Sequence, residues 1–197
     1  MKKTGWLIGI GVVVLLGFAI ARGYNGLIQL DQDVQAQWAQ VDNAYQRRAD
    51  LVPNLVATVK GSAKFEQETL TAVTEARARV GQINPGAAPP TDPAQLQKFQ
   101  QAQDQLSSAL SRLLVVSERY PELKSTAAFR DLMAQLEGTE NRISVERMRF
   151  NEAARAFNAA RSSFPTVVVA NLFGSRFASK AYFQAQAGAA TAPRVQF

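Results

Sequence analysis

The chain has 197 residues, no cysteine and no histidine, and its 22 basic and 16 acidic side chains give a net charge of +6. The missing cysteines exclude disulfides and zinc–thiolate sites, and the missing histidines remove the commonest general base and metal ligand. The mild and mixed charge gives no argument for binding nucleic acid. We therefore expect neither an enzyme nor a bound cofactor or metal.

The N-terminal segment reads as a membrane anchor. Residues 4–21 carry no charge and lie between Lys2-Lys3 and Arg22, so residues 1–22 are just long enough for one transmembrane helix. The two lysines predict a cytoplasmic N-terminus, with the rest of the chain on the outer side of the membrane. A cleavable signal peptide ending at Ala21 is the alternative, but the apolar run is longer than usual for one. The small residues Gly5 and Gly9 have the spacing of a helix-pairing motif and indicate a homo-oligomer.

Helical periodicity dominates the following residues. Apolar or small residues recur every three or four positions from Val34 to Val80, and the stripe keeps its phase through Pro53. This pattern predicts one long helix over residues 24–81 that is kinked at Pro53, where a backbone hydrogen bond to the Ala49 carbonyl is lost. Asn54, one position later, is expected near that carbonyl, and Gly61 is a second weak point.

Two further helices complete the predicted domain. Asp92-Pro93 is a helix start, and the second helix ends near Tyr120. The third runs from Ser125 or Thr126 to Phe164. Residues 23–164 are therefore predicted to form an all-α, antiparallel helical bundle. Whether a fourth helix comes from the kinked first helix or from the C-terminal segment stays open.

The C-terminal segment, residues 165–197, differs in kind. It contains no acidic residue, and its apolar and basic side chains include Phe173, Arg176, Phe177, Lys180 and Phe183. Such a segment either lies on a membrane or a partner, or packs back over the bundle. With three helices that run away from, toward and again away from the membrane, this segment would begin far from the bilayer. We therefore favour packing of the segment over the bundle. Residues after about 185 have a composition typical of disorder.

Charged and amide residues cluster in a few short strings. The two interpretations are a ligand or partner site and a network of interhelical pairs that fixes helix register, of which the second is favoured. Their members are Arg47, Arg48, Asp50, Pro53, Asn54, Glu75, Arg77, Glu118, Glu140, Asn141, Arg147, Asn151 and Asn158. Asn151 and Asn158 each follow a core phenylalanine, so they flank the buried seam and need hydrogen-bond partners.

The same strings make the chain resemble the LemA family in order and spacing. They are Tyr24-Asn25, Arg47-Arg48-x-Asp50-Leu51-Val52-Pro53-Asn54-Leu55, Glu75-Ala76-Arg77, Tyr120-Pro121-x-Leu123-Lys124, Thr139-Glu140-Asn141 and Phe164-Pro165. The resemblance implies a bacterial, membrane-anchored protein with a four-helix-bundle-like domain and no established enzymatic activity. It also implies an association with a membrane metalloprotease of the HtpX type.

These observations lead to one functional hypothesis and two rivals. The main hypothesis is a non-catalytic, membrane-anchored scaffold or adaptor that self-associates or binds another envelope membrane protein. A membrane-shaping or lipid-binding protein is the first rival, because of the C-terminal segment. An enzyme that uses carboxylates or a Ser–Lys pair is the second.

Overall fold

A computed structural model describes residues 2–61, 66–83, 85–86 and 88–184, which contain helices and no strand. The all-α prediction is confirmed. Its helices are α1 (Lys2–Lys60), α2 (Gln67–Ile83), α3 (Pro93–Ser117), α4 (Pro121–Ser125), α5 (Ala127–Ser162) and α6 (Thr166–Leu172), followed by a 3₁₀ turn at Gly174–Phe177. Asp92 caps α3 by accepting a hydrogen bond from the Ala94 N–H, and Thr126 caps α5 in the same way from Phe129.

Cross-contacts fix the direction of each helix relative to α1. Trp38 packs against Phe150 and Arg48 pairs with Glu140, so α5 runs antiparallel to α1. Phe99 also contacts Trp38, and Ser107 accepts from Arg48, so α3 runs parallel to α1. The helix α2 returns between them and packs chiefly on α3. The result is an up-down-up-down bundle of α1, α2, α3 and α5.

The prediction of one helix over residues 24–81 is wrong, because the helix divides after Lys60. Its second part, α2, turns back and buries Leu70, Val73 and Val80 in a core that also contains Val59 and Leu106. A straight continuation would have carried this apolar stripe beyond the ends of α3 and α5, where nothing could cover it. The fourth helix of the bundle therefore comes from the predicted first helix.

Pro53 lies inside α1 without ending it. The Ala49 carbonyl, which a proline at position 53 leaves without its helical donor, accepts a hydrogen bond of 2.9 Å from the Arg77 Nε on α2. Asn54 was predicted for this position, but its side chain is exposed. Arg77 therefore repairs the helix ladder and joins α2 to α1 at the same point.

The bundle has two cores stacked along its length. The core nearer the apolar span is rich in aromatic residues and includes Trp38, Phe99, Phe150, Phe157 and Phe183. The indole N–H of Trp38 donates to the Gly86 carbonyl at 3.0 Å and holds the α2–α3 connection against this core. The far core is aliphatic and joins α2, α3 and α5 to residues 52–59 of α1.

The first turns of α1 project from the bundle. In the described part of the chain, α1 is the one helix that is long and apolar enough to cross a membrane. Side chains such as Leu15 and Phe18 are exposed along it, as lipid-facing residues would be. A Cβ at Gly9 would meet no atom within 4 Å, so this surface is open, whereas at Gly5 the backbone alone is described. The helix passes without a break from residue 22 into the bundle.

The C-terminal segment packs on the bundle, and it does so at the end nearer the apolar span. Phe177, Lys180 and Phe183 are buried there, so these three face the bundle. A Cβ on Gly23 would lie 3.2 Å from Val169 in α6, and the Tyr24 ring packs at a tilt against the Phe173 ring, with 4.8 Å between ring centres. The prediction that this segment starts far from the membrane is wrong. Because α2 is an additional helix that runs back toward the apolar span, α5 also runs toward the span, and the C-terminal segment begins beside it. The predicted disorder after about 185 lies outside the described residues.

The Arg77–Ala49 contact predicts a specific coupling to Pro53. Arg77→Ala should lower the free energy of unfolding by about 1–2 kcal/mol, since it removes a charged donor from a carbonyl with no helical partner. In a Pro53→Ala background the restored N–H can bond Ala49, so the same change should cost under about 0.5 kcal/mol. Urea unfolding in mild detergent, followed by Trp38 fluorescence in a Trp6→Phe chain, measures both. Equal losses in the two backgrounds would contradict the repair.

Candidate functional site

An extended segment of the chain, residues 178–184, lies in the groove between α3 and α5. It pairs with no β-strand among the described residues, and it is called the strand below only because its backbone is extended. Asn158 on α5 holds Lys180 by both backbone groups: its Nδ2 donates to the Lys180 carbonyl at 2.9 Å, and its Oδ1 accepts from the Lys180 N–H at 2.8 Å. Asn151 holds Phe183 in the same way, at 3.0 and 2.9 Å. Side-chain amides thus replace the neighbouring strand that an extended backbone normally needs.

The spacing of the two asparagines matches an extended chain. Seven residues of helix span about 10.5 Å, and three residues of extended chain span about 10 Å. Asn151 and Asn158 are seven residues apart, and the residues they hold are three apart. The pair therefore selects an extended segment that runs antiparallel to α5, away from the apolar span.

Side chains from both walls of the groove hold the end of the strand. The Gln184 carbonyl accepts hydrogen bonds from Gln100 on α3 and from Arg147 on α5, each of 2.9 Å. The Arg147 guanidinium also lies 4.8 Å from the ring centre of Phe183. At the other end, Arg161 donates to the Phe177 carbonyl. The strand is thus fixed through its backbone along its length.

A buried ion pair anchors the same strand to α1. The Lys180 ammonium lies 2.5 Å from an Asp31 carboxylate oxygen, and both side chains are buried. Asp31 also accepts from Gln35, and the ammonium sits 4.8 Å from the Phe157 ring centre. Because either charge alone would be costly to bury, the strand and α1 depend on each other here.

Beyond Gln184, farther from the apolar span, the groove continues as a cavity of about 730 Å³, here called the upper groove. The volume is in the range of ligand-binding clefts. Apolar side chains form one part of its lining: Leu110, Leu114, Phe129, Met133, Ala134 and Leu136. Charged and polar groups also line it, namely Arg48, Ser107, Glu118, Lys124, Arg130, Glu137, Glu140 and Asn141.

Arg48 is the polar centre at the base of the upper groove. Its side chain is 2% exposed, and its Nη1 donates to both Ser107 Oγ and Glu140 Oε2 at 2.6 Å. Its Nη2 donates to the side-chain and backbone oxygens of Gln103. Glu140 is 54% exposed, so one end of this pair reaches solvent through the groove. The network ties α1, α3 and α5 together.

The electrostatics near Arg48 extend to Tyr45 on α1. The Arg48 guanidinium lies 5.2 Å from the Tyr45 ring centre. Burial raises the pKa of Tyr45 above its usual value, and the nearby Arg147 and Arg48 charges oppose the shift only in part. Tyr45 therefore remains a neutral member of this site well into the alkaline range.

The predicted polar residues separate into four groups. Arg48, Glu118, Glu140 and Asn141 meet at the upper groove, and Arg147, Asn151 and Asn158 hold the strand. Arg77 repairs the helix at Pro53 instead. The remaining ones are exposed away from the groove: Arg47, Asp50, Pro53, Asn54 and Glu75.

Several site residues escape prediction from the sequence. Gln103 occupies a stripe position of α3 between Phe99 and Leu106, where a polar residue is the only hint. Gln100, Ser107 and Asp31 carry no such signal. Chemically, the site offers fixed hydrogen-bond donors, acceptors and an apolar wall. In the described residues, no three acidic side chains come together as metal ligands.

A family comparison matches this architecture. The model of the LemA family matches residues 37–197, which include both parts of the groove. The chain belongs to the LemA family. The match begins after the apolar span, so the family signature rests on the bundle and the C-terminal segment.

Individual relatives of this LemA-family chain are distant but cover most of it. The magnetosome protein MamQ of Magnetospirillum gryphiswaldense is 25% identical over 188 residues, covering 85% of this chain and 68% of its own length. Magnetosome protein MamQ 2 of Paramagnetospirillum magneticum is 26% identical over 193 residues, covering 89% and 69%. Protein LemA of Metamycoplasma hominis is 25% identical over 146 residues, covering 74% and 63%. The names indicate no known enzyme.

The Arg48 network predicts that removal of the Glu140 carboxylate lowers the stability of the bundle. Glu140→Gln should lower the free energy of unfolding by about 1–2 kcal/mol, because it leaves the buried guanidinium without an anionic partner while Glu140 itself is half in solvent. Glu137→Gln, on the same groove wall, should change it by less than about 0.5 kcal/mol. Urea unfolding of the two variants compares them directly. A Glu140→Gln variant as stable as Glu137→Gln would show that the pair contributes nothing.

Proposed function

We propose that this LemA-family chain is a non-catalytic, membrane-anchored adaptor whose upper groove binds an extended segment of another membrane protein. The strand at residues 178–184 is the observation that carries the proposal. The lower part of the same groove already holds an extended polypeptide, and the amides of Asn151 and Asn158 hydrogen-bond to its backbone N–H and carbonyl groups. The upper groove continues along the same two helices.

The lining of the upper groove suits a peptide with mixed side chains. Leu110, Phe129 and Leu136 form a buried apolar floor, and Leu114 is partly exposed at the wall. Glu118 and Lys124 pair at 2.6 Å near one end, where both remain accessible. Backbone recognition with apolar contacts is a common way in which proteins bind extended segments. Such a lining supports binding of a peptide.

The proposal also includes a location in the cell and a class of partner. The apolar start of α1 fits a single-pass membrane protein. We propose the bacterial cytoplasmic membrane, with the N-terminus inside and the bundle outside, because Lys2 and Lys3 precede the span. The partner is then an envelope membrane protein, and a membrane metalloprotease of the HtpX type is the candidate that the family resemblance supplies.

Site-specific photocrosslinking tests the groove in the native membrane. A photoreactive residue at Ala134, which lines the upper groove, should crosslink an extended segment of another membrane protein. The same probe at Gln135, the exposed neighbour outside the lining, serves as the matched control. Leu114→Glu should reduce the Ala134 product several-fold, because it places a charge on the apolar wall.

The identity of the crosslinked peptide decides the outcome. A product from Ala134 alone that maps to one segment of another membrane protein, and that Leu114→Glu weakens, supports the adaptor. Identical products from Ala134 and Gln135, or none, contradict it. A product from a second copy would assign the groove to the predicted homo-oligomer, and one from residues 185–197 would assign it to the chain itself. Either result overturns the adaptor.

A further inference from the structure

The short helix α6 lies directly beside the end of the apolar span. Thr166 and Val169 of α6 are the residues nearest to Gly23, and Phe173 and Phe177 contact Tyr24. All of these contacts fall on two adjacent residues of α1. Residues 166–177 therefore cross α1 at the level of Gly23 and Tyr24 along the α1 axis. Gly23 is two residues beyond the apolar run, which corresponds to about 3 Å along the helix.

This height coincides with the interfacial layer of a bilayer. The hydrocarbon core is about 30 Å thick and the whole bilayer about 40–45 Å, so each interfacial layer is about 5–7 Å deep. With residues 4–21 in the hydrocarbon, an element beside Gly23 lies within that layer. An amphipathic helix that lies flat at this depth buries its apolar face among the lipids.

One face of this segment is apolar and uncovered. Val168 and Leu172 lie about one helical turn apart on α6, and Phe164 comes two residues before the helix begins. Their side chains are 55%, 69% and 84% exposed, respectively. The opposite face is occupied, since Val169 and Ala170 are buried against the bundle. Three large, exposed apolar side chains within nine residues are unusual on a surface that faces water.

The charges around the segment fit a lipid surface. Residues 165–197 contain no acidic side chain, and the exposed Arg176 lies in the 3₁₀ turn that follows α6. Arg22 lies at the end of the span. Basic side chains beside an apolar face favour contact with anionic lipid headgroups.

We propose that Phe164, Val168 and Leu172 form a second membrane contact, which inserts into the interfacial layer of the bilayer that α1 crosses. The bundle is then held to the membrane at two points. A single helix leaves the bundle free to tilt and rotate, whereas a second contact fixes which side of the bundle faces the lipid. This contact is independent of what occupies the upper groove.

Spin labels on the full chain test the contact. The sequence has no cysteine, so single-cysteine variants Phe164→Cys and Leu172→Cys can be labelled in bilayers of phosphatidylethanolamine and phosphatidylglycerol. Leu15→Cys in the span and Val115→Cys on α3 provide the lipid and water references, since both side chains are about 70% exposed. The ratio of collision with oxygen to collision with a nickel chelate reports the surroundings of each label.

We expect this ratio at positions 164 and 172 to be several-fold above that at position 115 and to approach that at position 15. Values equal to those at position 115 would place the face in water and overturn the proposal. Low collision with both reagents, with dipolar broadening between labels, would show that a second copy covers the face, which also overturns it. Val168→Cys provides a third label if either substitution disturbs folding.

Discussion

The hydrogen bonds from Asn151 and Asn158 to an extended backbone are the constraint on which the rest of the structure depends. A strand that leaves a helical bundle has no neighbouring strand, and its buried N–H and carbonyl groups need other partners. The two amides supply them at the right spacing. The bound strand closes the lower groove, adds Phe183 to the aromatic core and brings Lys180 to Asp31.

The continuity of α1 links that groove to the membrane. The helix that carries the apolar span also provides Asp31 for the strand and Arg48 for the upper groove. Pro53 would weaken such a helix, but Arg77 satisfies the carbonyl that the proline leaves open. In the proposed membrane-anchored state, the bundle would therefore stand at a defined height above the bilayer, with α6 at the level of the interface. A membrane-anchored adaptor needs this kind of fixed geometry to present its groove to a partner in the same membrane.

The sequence predicts some of these features and not others, for physical reasons. Local signals are reliable: Asp92-Pro93 marks the start of α3, and the periodic stripe identifies the buried faces. The same stripe led to the wrong prediction of one helix over residues 24–81. An apolar stripe that stays in phase across Gly61 is equally compatible with one straight helix and with two helices joined by a turn. Asn151 and Asn158 were recognised as polar residues beside a buried seam, but their partner lies 22 to 32 residues away. Arg77 acts across helices, and no local pattern reveals that contact.

Hydrogen exchange at the strand tests the central claim most directly. In the full chain reconstituted in a bilayer, the amide hydrogens of Lys180 and Phe183 should exchange as slowly as those within α5, because both are donated to side-chain amides. Substituting Asn151 and Asn158 by alanine should speed this exchange by orders of magnitude while α5 stays protected. Exchange at residues 178–184 in the unaltered chain as fast as in a free peptide would contradict the account.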